Sequence, residues 1–294
     1  MSIIQAVVLG VVQGLSEFLP ISSSGHLEVV PWLLGWDLFE GQDEGLRKTF
    51  EVALHMGTFL GAAWYFRTDL ARLLLGLTAR LRPVTSRAGG APTGGASPPG
   101  PEWEDPGRMA WLLVLSAVPA GITGVLLEGV IVDLSDVHWL IGLMLVAFGF
   151  VLLWADGLRG ERPSGEFTVR DALTMGIAQS LALQPGVSRS GATISAARYL
   201  GFRRDAAARL AFLMSLPIIG GAGIYKGLDV AGDGGIPSSF VAPFLWGTVA
   251  SALTGWLAVW GMLRFVRSRS FRPFVVYRVL LGVVVMGVAA GGAR

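Results

Sequence analysis

Gly10-Val11-Val12-Gln13-Gly14-Leu15-Ser16-Glu17-Phe18-Leu19-Pro20-Ile21-Ser22-Ser23-Ser24-Gly25-His26 is the stretch that decides the fold. Its first half is an apolar helical run with Gln13 and Glu17 one turn apart on one face. Pro20 ends the run, because it has no N–H to donate and its ring clashes with the preceding turn. Three consecutive hydroxyls, a glycine and an imidazole follow at once. A carboxylate, hydroxyls, free backbone N–H groups and a histidine thus crowd into a chain that is otherwise greasy, which is costly in a membrane and points to function. The device occurs twice. Offset by 166 residues, Gly176 to Gly191 aligns without a gap on Gly10 to Gly25, with identity at Gly10, Gln13, Leu15, Ser22, Ser24 and Gly25. Two polar helix breaks in corresponding places of a membrane chain mark an internal repeat with a site between its halves.

Composition sets the solvent. Of 294 residues, 52% are hydrophobic and 15% charged, with a mean hydropathy of +0.59. Soluble domains carry about 25% charged residues, and the apolar runs here are near helical membrane length rather than alternating tens. The isoelectric point of about 9.3 comes almost wholly from arginine, and Lys48 and Lys226 are the only lysines. That excess reads as topology signalling, not as a nucleic-acid surface. With no cysteine there is no disulfide, thiolate chemistry or cysteine-bound metal. No basic region or small-residue cleavage site opens the chain, so no removable signal peptide is expected.

The expected architecture is all-α and polytopic: an inverted-topology repeat in which each half is a re-entrant helical hairpin plus three transmembrane helices. The first repeat, residues 1–156, has its hairpin at 3–36, spans near 49–66, 109–131 and 139–155, and a flexible Pro/Gly loop at 83–107. The second, 157–294, has its hairpin at 171–201 and spans near 208–227, 240–263 and 274–292. Letting both hairpins return to the side they came from puts 17 of the 23 Lys/Arg on one face, as positive-inside topology requires. Both termini then lie outside. An odd number of spans per half inverts the second hairpin relative to the first, so their broken tips meet near the midplane.

Brought together, the tips offer Gln13, Glu17, Ser22, Ser23, Ser24, His26, Ser188, Arg189 and Ser190. Arginine's planar fork binds phosphate bidentately and keeps its charge when desolvated. Serine-rich turns at helix starts add hydroxyls and aligned N–H groups, an anion cradle. His26 exchanges a proton near neutral pH, and Glu17 either orients it or helps hold a divalent cation. The combination describes a buried phosphate site with an acid/base group beside it. Glu51 and His55, one turn apart in the first span, are either part of that site or an interhelical hydrogen bond. Gly10/Gly14 and Gly57/Gly61 read as close-packing positions. Trp32, Trp36, Trp103 and Trp139 read as interface anchors, and His138 is given no role.

Gln13 with Glu17-Phe18-Leu19-Pro20-Ile21-Ser22-Ser23-Ser24-Gly25-His26 resembles the first signature of the bacterial undecaprenyl-diphosphate phosphatase family linked to bacitracin resistance. Pro185-Gly186-Val187-Ser188-Arg189-Ser190-Gly191-Ala192-Thr193 resembles its second, and Phe50-Glu51-Val52 also fits. The resemblance implies hydrolysis of the C55 isoprenoid diphosphate to the monophosphate carrier, recycling lipid for cell-wall synthesis in the bacterial cytoplasmic membrane; the charge bias makes the Arg-rich loops cytoplasmic. The resemblance also implies Glu17, Ser23, His26 and Arg189 as catalytic residues; Gln13, Ser22, Ser24, Ser188 and Ser190, from the same two tips, are expected to bind substrate. Gln13 stands where the family has the first position of a Glu/Gln-x-x-x-Glu element. The metal therefore stays open, with Glu17 the candidate ligand for Mg or Ca. No organic cofactor is expected. The partners are the polyprenyl diphosphate and membrane lipids, with no nucleic acid, and a homodimer is left open. Transport of the lipid by the same inverted-repeat site is the alternative activity.

Overall fold

The computed structural model describes residues 1–39, 44–81, 103–135, 137–232 and 235–292. These form twelve α-helices and no β-strand: α1 (Ile3–Phe18), α2 (Ser23–Leu34), α3 (Glu44–Tyr65), α4 (Arg67–Leu81), α5 (Pro106–Leu126), α6 (Glu128–Ser135), α7 (His138–Gly157), α8 (Val169–Leu181), α9 (Arg189–Tyr199), α10 (Arg204–Gly232), α11 (Ser238–Phe265) and α12 (Arg272–Ala290). Most of the expected flexible Pro/Gly loop at 83–107 lies outside the described residues; its last part leads into α5 from the Asp105 N-cap.

Five helices, α5, α7, α10, α11 and α12, are long and apolar enough to cross a bilayer, where six spans were expected. The sixth, α3, has the length at 22 residues, but Glu44, Arg47, Lys48 and Glu51 sit in its first two turns. Two further helices were not foreseen. The amphipathic α4 follows α3 after a break at Phe66, and α6 splits off the end of the span expected at 109–131. Wide apolar surfaces on the long helices, such as Leu253 at 63% and Leu280 at 63% exposure, make a multi-pass membrane protein of this chain.

Two hairpins, α1–α2 and α8–α9, are inserted among these helices, and each leans on the opposite half of the chain. The first helix of one, α1, packs along α11; the first helix of the other, α8, packs along α5. The aligned glycines make both contacts. A Cβ on Gly10 would stand 2.2 Å from the Gly247 carbonyl oxygen, and one on Gly176 would stand 2.5 Å from that of Ser116. Backbones approach this closely only where no side chain intervenes. The pairs α7–α12 and α3–α10 close the arrangement. Phe18, at the end of α1, stands edge-on to Phe212 of α10 with ring centroids 5.2 Å apart, fixing where the first hairpin turns.

Outside the five spans, Arg162 fastens the two ends of the second hairpin together. It donates to both carboxylate oxygens of Asp171, at 3.2 and 2.8 Å, and to the Leu200 carbonyl at 2.8 Å. Burial pushes the Asp171 carboxyl up, but the hydrogen bonds from Arg162 and Thr168 more than offset it, and its pKa lies below the usual carboxylate value.

Candidate active site

Each hairpin turns at a serine in the left-handed region. Ser22 has φ 78° and Ser188 φ 75°, the only non-glycine residues with positive φ among those described. For a residue with a Cβ this conformation costs on the order of 1–3 kcal/mol and persists only where the surroundings over-determine it. Both serines cap the helix that follows: Ser22 Oγ accepts from the Gly25 N–H at 3.3 Å, Ser188 Oγ from the Gly191 N–H at 3.1 Å. The sequence repeat is therefore also a repeat of backbone conformation.

The elbows lock onto each other. Ser22 Oγ also accepts from the Gly186 N–H of the second elbow at 3.0 Å, and Ser190 Oγ donates to the Leu19 carbonyl of the first at 3.0 Å. Arg278 of α12 supplies the largest share of the junction. It is wholly buried, with no carboxylate partner among the described residues. Its Nη1 donates to Pro20 O at 3.1 Å, its Nη2 to Gly186 O at 2.9 Å and Val187 O at 3.0 Å, and its Nε to Leu145 O of α7 at 3.1 Å. One guanidinium thus clamps both elbows to the α7 backbone. Broken helices leave carbonyls that nothing in lipid can satisfy, and a five-donor fork is the side chain that reaches several at once.

At this junction Glu17, 3% exposed, gathers four partners. Its Oε2 accepts from Gln13 Nε2 at 3.0 Å and from Ser23 Oγ at 2.6 Å, and lies 3.5 Å from His55 Nε2. Its Oε1 is 3.6 Å from Arg189 Nη2. The Ser23 bond is short, as expected for a hydroxyl donating to a carboxylate. Glu17 sits on the first hairpin and Arg189 on the second, so the pair crosses the junction. The Arg189 side chain remains 24% exposed, which leaves it accessible to a ligand.

His26 is held separately. Its Nδ1 is 2.6 Å from the Ser22 carbonyl and its Nε2 is 2.7 Å from the Tyr277 hydroxyl. A carbonyl only accepts, so Nδ1 carries the proton, and in the neutral ring Nε2 accepts the Tyr277 O–H. The two rings also stack, 5.6 Å apart and 10° from parallel.

The expected site residues fall into different surroundings. Of the two roles open to Glu17, orienting His26 or holding a cation, the first has no contact behind it here, since His26 is held by Ser22 and Tyr277. The hydroxyls of Ser22, Ser188 and Ser190 were expected on substrate, yet they are buried and used in caps and elbow-to-elbow bonds. Ser24 is half-buried. Gln13 touches Glu17, and its Oε1 is buried without a hydrogen-bond partner, as is Glu17 Oε1. Among the described residues no group of three or more His, Asp and Glu is placed to hold a metal. His55, left open by the sequence, belongs to the Glu17 cluster, with Nδ1 2.8 Å from the Glu51 carbonyl. Tyr277 and Arg278 were missed as parts of the site. Their signal was the charge of Arg278 inside an apolar span. His138, given no role, stacks on Trp32 with centroids 4.3 Å apart.

A cavity of about 300 Å³ opens next to this cluster. Leu9, Leu27, Trp32, Trp36 and Phe50 supply apolar wall, and Glu28, Arg47 and Glu51 supply charge. Arg47 bridges Glu28 and Glu51. Leu27 follows His26 in the chain, and Glu51 precedes His55 by one turn.

Residues 6–284 match the family model described as bacitracin resistance protein BacA. The undecaprenyl-diphosphatase of Geobacter sulfurreducens is 45% identical over 288 residues, covering 97% of this chain and 98% of that one. That of Pelobacter propionicus is 44% identical, with 99% of each covered, and that of Hahella chejuensis 40% identical, with 96% of each covered. Two serine elbows, one carboxylate and one arginine meeting across a broken-helix junction thus sit in a chain that belongs to the bacitracin resistance protein BacA family.

Proposed function

We propose that the junction of the two elbows is where a polyprenyl diphosphate loses its terminal phosphate. The chain is an integral membrane phosphatase that hydrolyses undecaprenyl diphosphate to undecaprenyl phosphate and inorganic phosphate. The observation that carries the mechanism is the Ser23–Glu17–Arg189 constellation, with nucleophile and proton acceptor on one elbow and a partly exposed cation on the other. Ser23 attacks the terminal phosphorus, its proton passes to Glu17 Oε2, and the P–O bond to the lipid monophosphate breaks. Arg189 leaves Glu17 for the equatorial oxygens. The first-turn N–H groups of α2 and α9 other than those of Gly25 and Gly191, which Ser22 and Ser188 cap, add to their stabilisation. Water then cleaves the phosphoserine, and His26 Nε2, released by Tyr277, is the base assigned to that step.

The chain's own oxygens for a divalent cation are Glu17 Oε1 and Gln13 Oε1, both buried without a hydrogen bond, the first only in a 3.6 Å ion pair with Arg189. Mg or Ca bound there with diphosphate oxygens would neutralise part of the substrate's charge. The reading extends to topology. Residues 1–156 and 157–294 form inverted repeats, both elbows lie near the bilayer midplane, the arginine-rich ends face the cytoplasm and both termini lie outside the cytoplasmic membrane. The architecture does not by itself separate hydrolysis from lipid transport. The test is phosphate release from undecaprenyl diphosphate by the purified protein in detergent, with and without chelator. Release that disappears in Arg189→Ala and Ser23→Ala, with the unfolding temperature unchanged, supports the reading. Lipid movement without release would replace it with transport.

A further inference from the structure

A second concentration of guanidinium groups lies away from the elbows. Asp156 is roughly 16 Å along α7 from Leu145, and Arg198 about 14 Å along α9 from Arg189, at 1.5 Å per residue. There an open cavity of about 630 Å³ is lined by the end of α7, the 158–161 loop, Arg198 of α9, Arg203 with the start of α10, and the residues that follow α11. Five arginines, 159, 198, 203, 204 and 267, meet three carboxylates, Asp156, Glu161 and Asp205.

The carboxylates do not use up the arginines. Asp156 is fully engaged, one oxygen taken by Arg204 Nε at 2.5 Å and the other by the Phe271 N–H at 3.1 Å. Arg203 and Asp205 form a loose exposed pair at 3.3 Å, of a kind that contributes little. Arg159 and Arg267 are exposed and make no ion pair among the described residues. Arg198 is only 4% exposed, also without a carboxylate; it donates to the Phe202 and Leu158 carbonyls, while its Nε is buried with no acceptor. Gly160 leaves room for that guanidinium, since a Cβ there would stand 2.8 Å from Arg198 Nη1. Positive-inside bias explains arginines at this end of the molecule. It does not explain one sunk into a cavity wall with a donor left over.

We propose that this cavity binds a phosphate group, carried by an anionic lipid headgroup or presented as free phosphate. Three guanidiniums, Arg159, Arg198 and Arg267, face a single unpaired carboxylate, Glu161, in a space of headgroup size. Basic pockets between membrane helices take such groups.

The test is native mass spectrometry of the intact protein in detergent, titrated with phosphatidylglycerol, phosphatidylcholine and inorganic phosphate. Phosphatidylglycerol binds in preference to phosphatidylcholine. The Arg159→Ala/Arg267→Ala double variant weakens it by roughly fivefold per arginine, about 25-fold in all. Arg108→Ala/Arg170→Ala removes the same charge from exposed positions outside the cavity and leaves the affinity unchanged. Inorganic phosphate that displaces the lipid identifies the phosphate group as sufficient; failure to displace it assigns the site to the lipid headgroup. Equal binding of the two lipids, or equal loss in both double variants, overturns the proposal. Unfolding temperatures of both variants at the wild-type value keep the comparison valid.

Discussion

Arg278→Lys keeps the charge and removes the fork. Arginine brings five N–H donors in one plane, lysine three on a point-like ammonium. In the structure, Nε and the two Nη atoms reach carbonyls on α7, on Pro20 of the first elbow and on Gly186 and Val187 of the second. A lysine head cannot bridge all of these, so at least two carbonyls lose their donor. A buried unsatisfied group costs about 1–3 kcal/mol, which puts the loss at the junction near 2–6 kcal/mol. Ser23 and Arg189 ride on different elbows, so the loss falls on their relative placement. If only about 2 kcal/mol reaches the transition state, phosphate release slows roughly thirtyfold, at 1.36 kcal/mol per decade. The assay is kcat/KM for undecaprenyl diphosphate in detergent, paired with thermal unfolding of the same samples. Wild-type turnover and unfolding temperature in Arg278→Lys would refute the clamp.

Further consequences rest on other contacts. Tyr277→Phe removes the hydroxyl that positions the His26 ring; losing one hydrogen bond of orientation, about 0.5–1.5 kcal/mol, should appear as a roughly two- to twelvefold loss of kcat with a displaced pH profile, and an unaltered profile at wild-type rate would remove Tyr277 from the site. Gly10→Ala places a methyl 2.2 Å from the Gly247 carbonyl oxygen, so α1 must shift off α11; a destabilisation of about 1–3 kcal/mol is expected for such overpacking, read as a lower unfolding temperature. The Asp171 carboxyl titrates below its usual value. Its stabilising contribution is therefore complete above the unfolded pKa of about 3.9 and is lost as pH falls through the lower folded value. Unfolding measured from pH 6 downward should show this acid-side loss in the wild type and a reduced loss in Asp171→Asn.

Much of the site was legible because bilayers penalise polar groups. Gln13, Glu17, His26 and Arg189 stood out against apolar sequence, and the offset of 166 residues tied two distant breaks together. The structure adds that the aligned serines, Ser22 and Ser188, share a left-handed conformation, which no residue-type preference announces, since serine is not glycine. The division of labour among hydroxyls was also hidden. Ser22, Ser23 and Ser24 are chemically alike in sequence, and only the packing sends Ser22 to the second elbow and Ser23 to Glu17. Arg278 was visible as a charge in an apolar span, but its partners are backbone carbonyls from three segments, and carbonyls leave no trace in sequence. The helix α4 was obscured for a different reason: Arg67, Asp69 and Arg72 break its apolar run, and the dense Gly/Pro tract beyond drew the whole region towards a loop reading.

The central claim is that Ser23, bonded to Glu17 where the elbows meet, takes up the phosphoryl group. Rapid-quench turnover with substrate labelled on the terminal phosphate, followed by digestion and mass spectrometry, tests it directly. The account predicts label on the peptide carrying Ser23, lost in Ser23→Ala. Turnover at the wild-type rate in that variant, or product formed without any labelled protein on the turnover timescale, would contradict it.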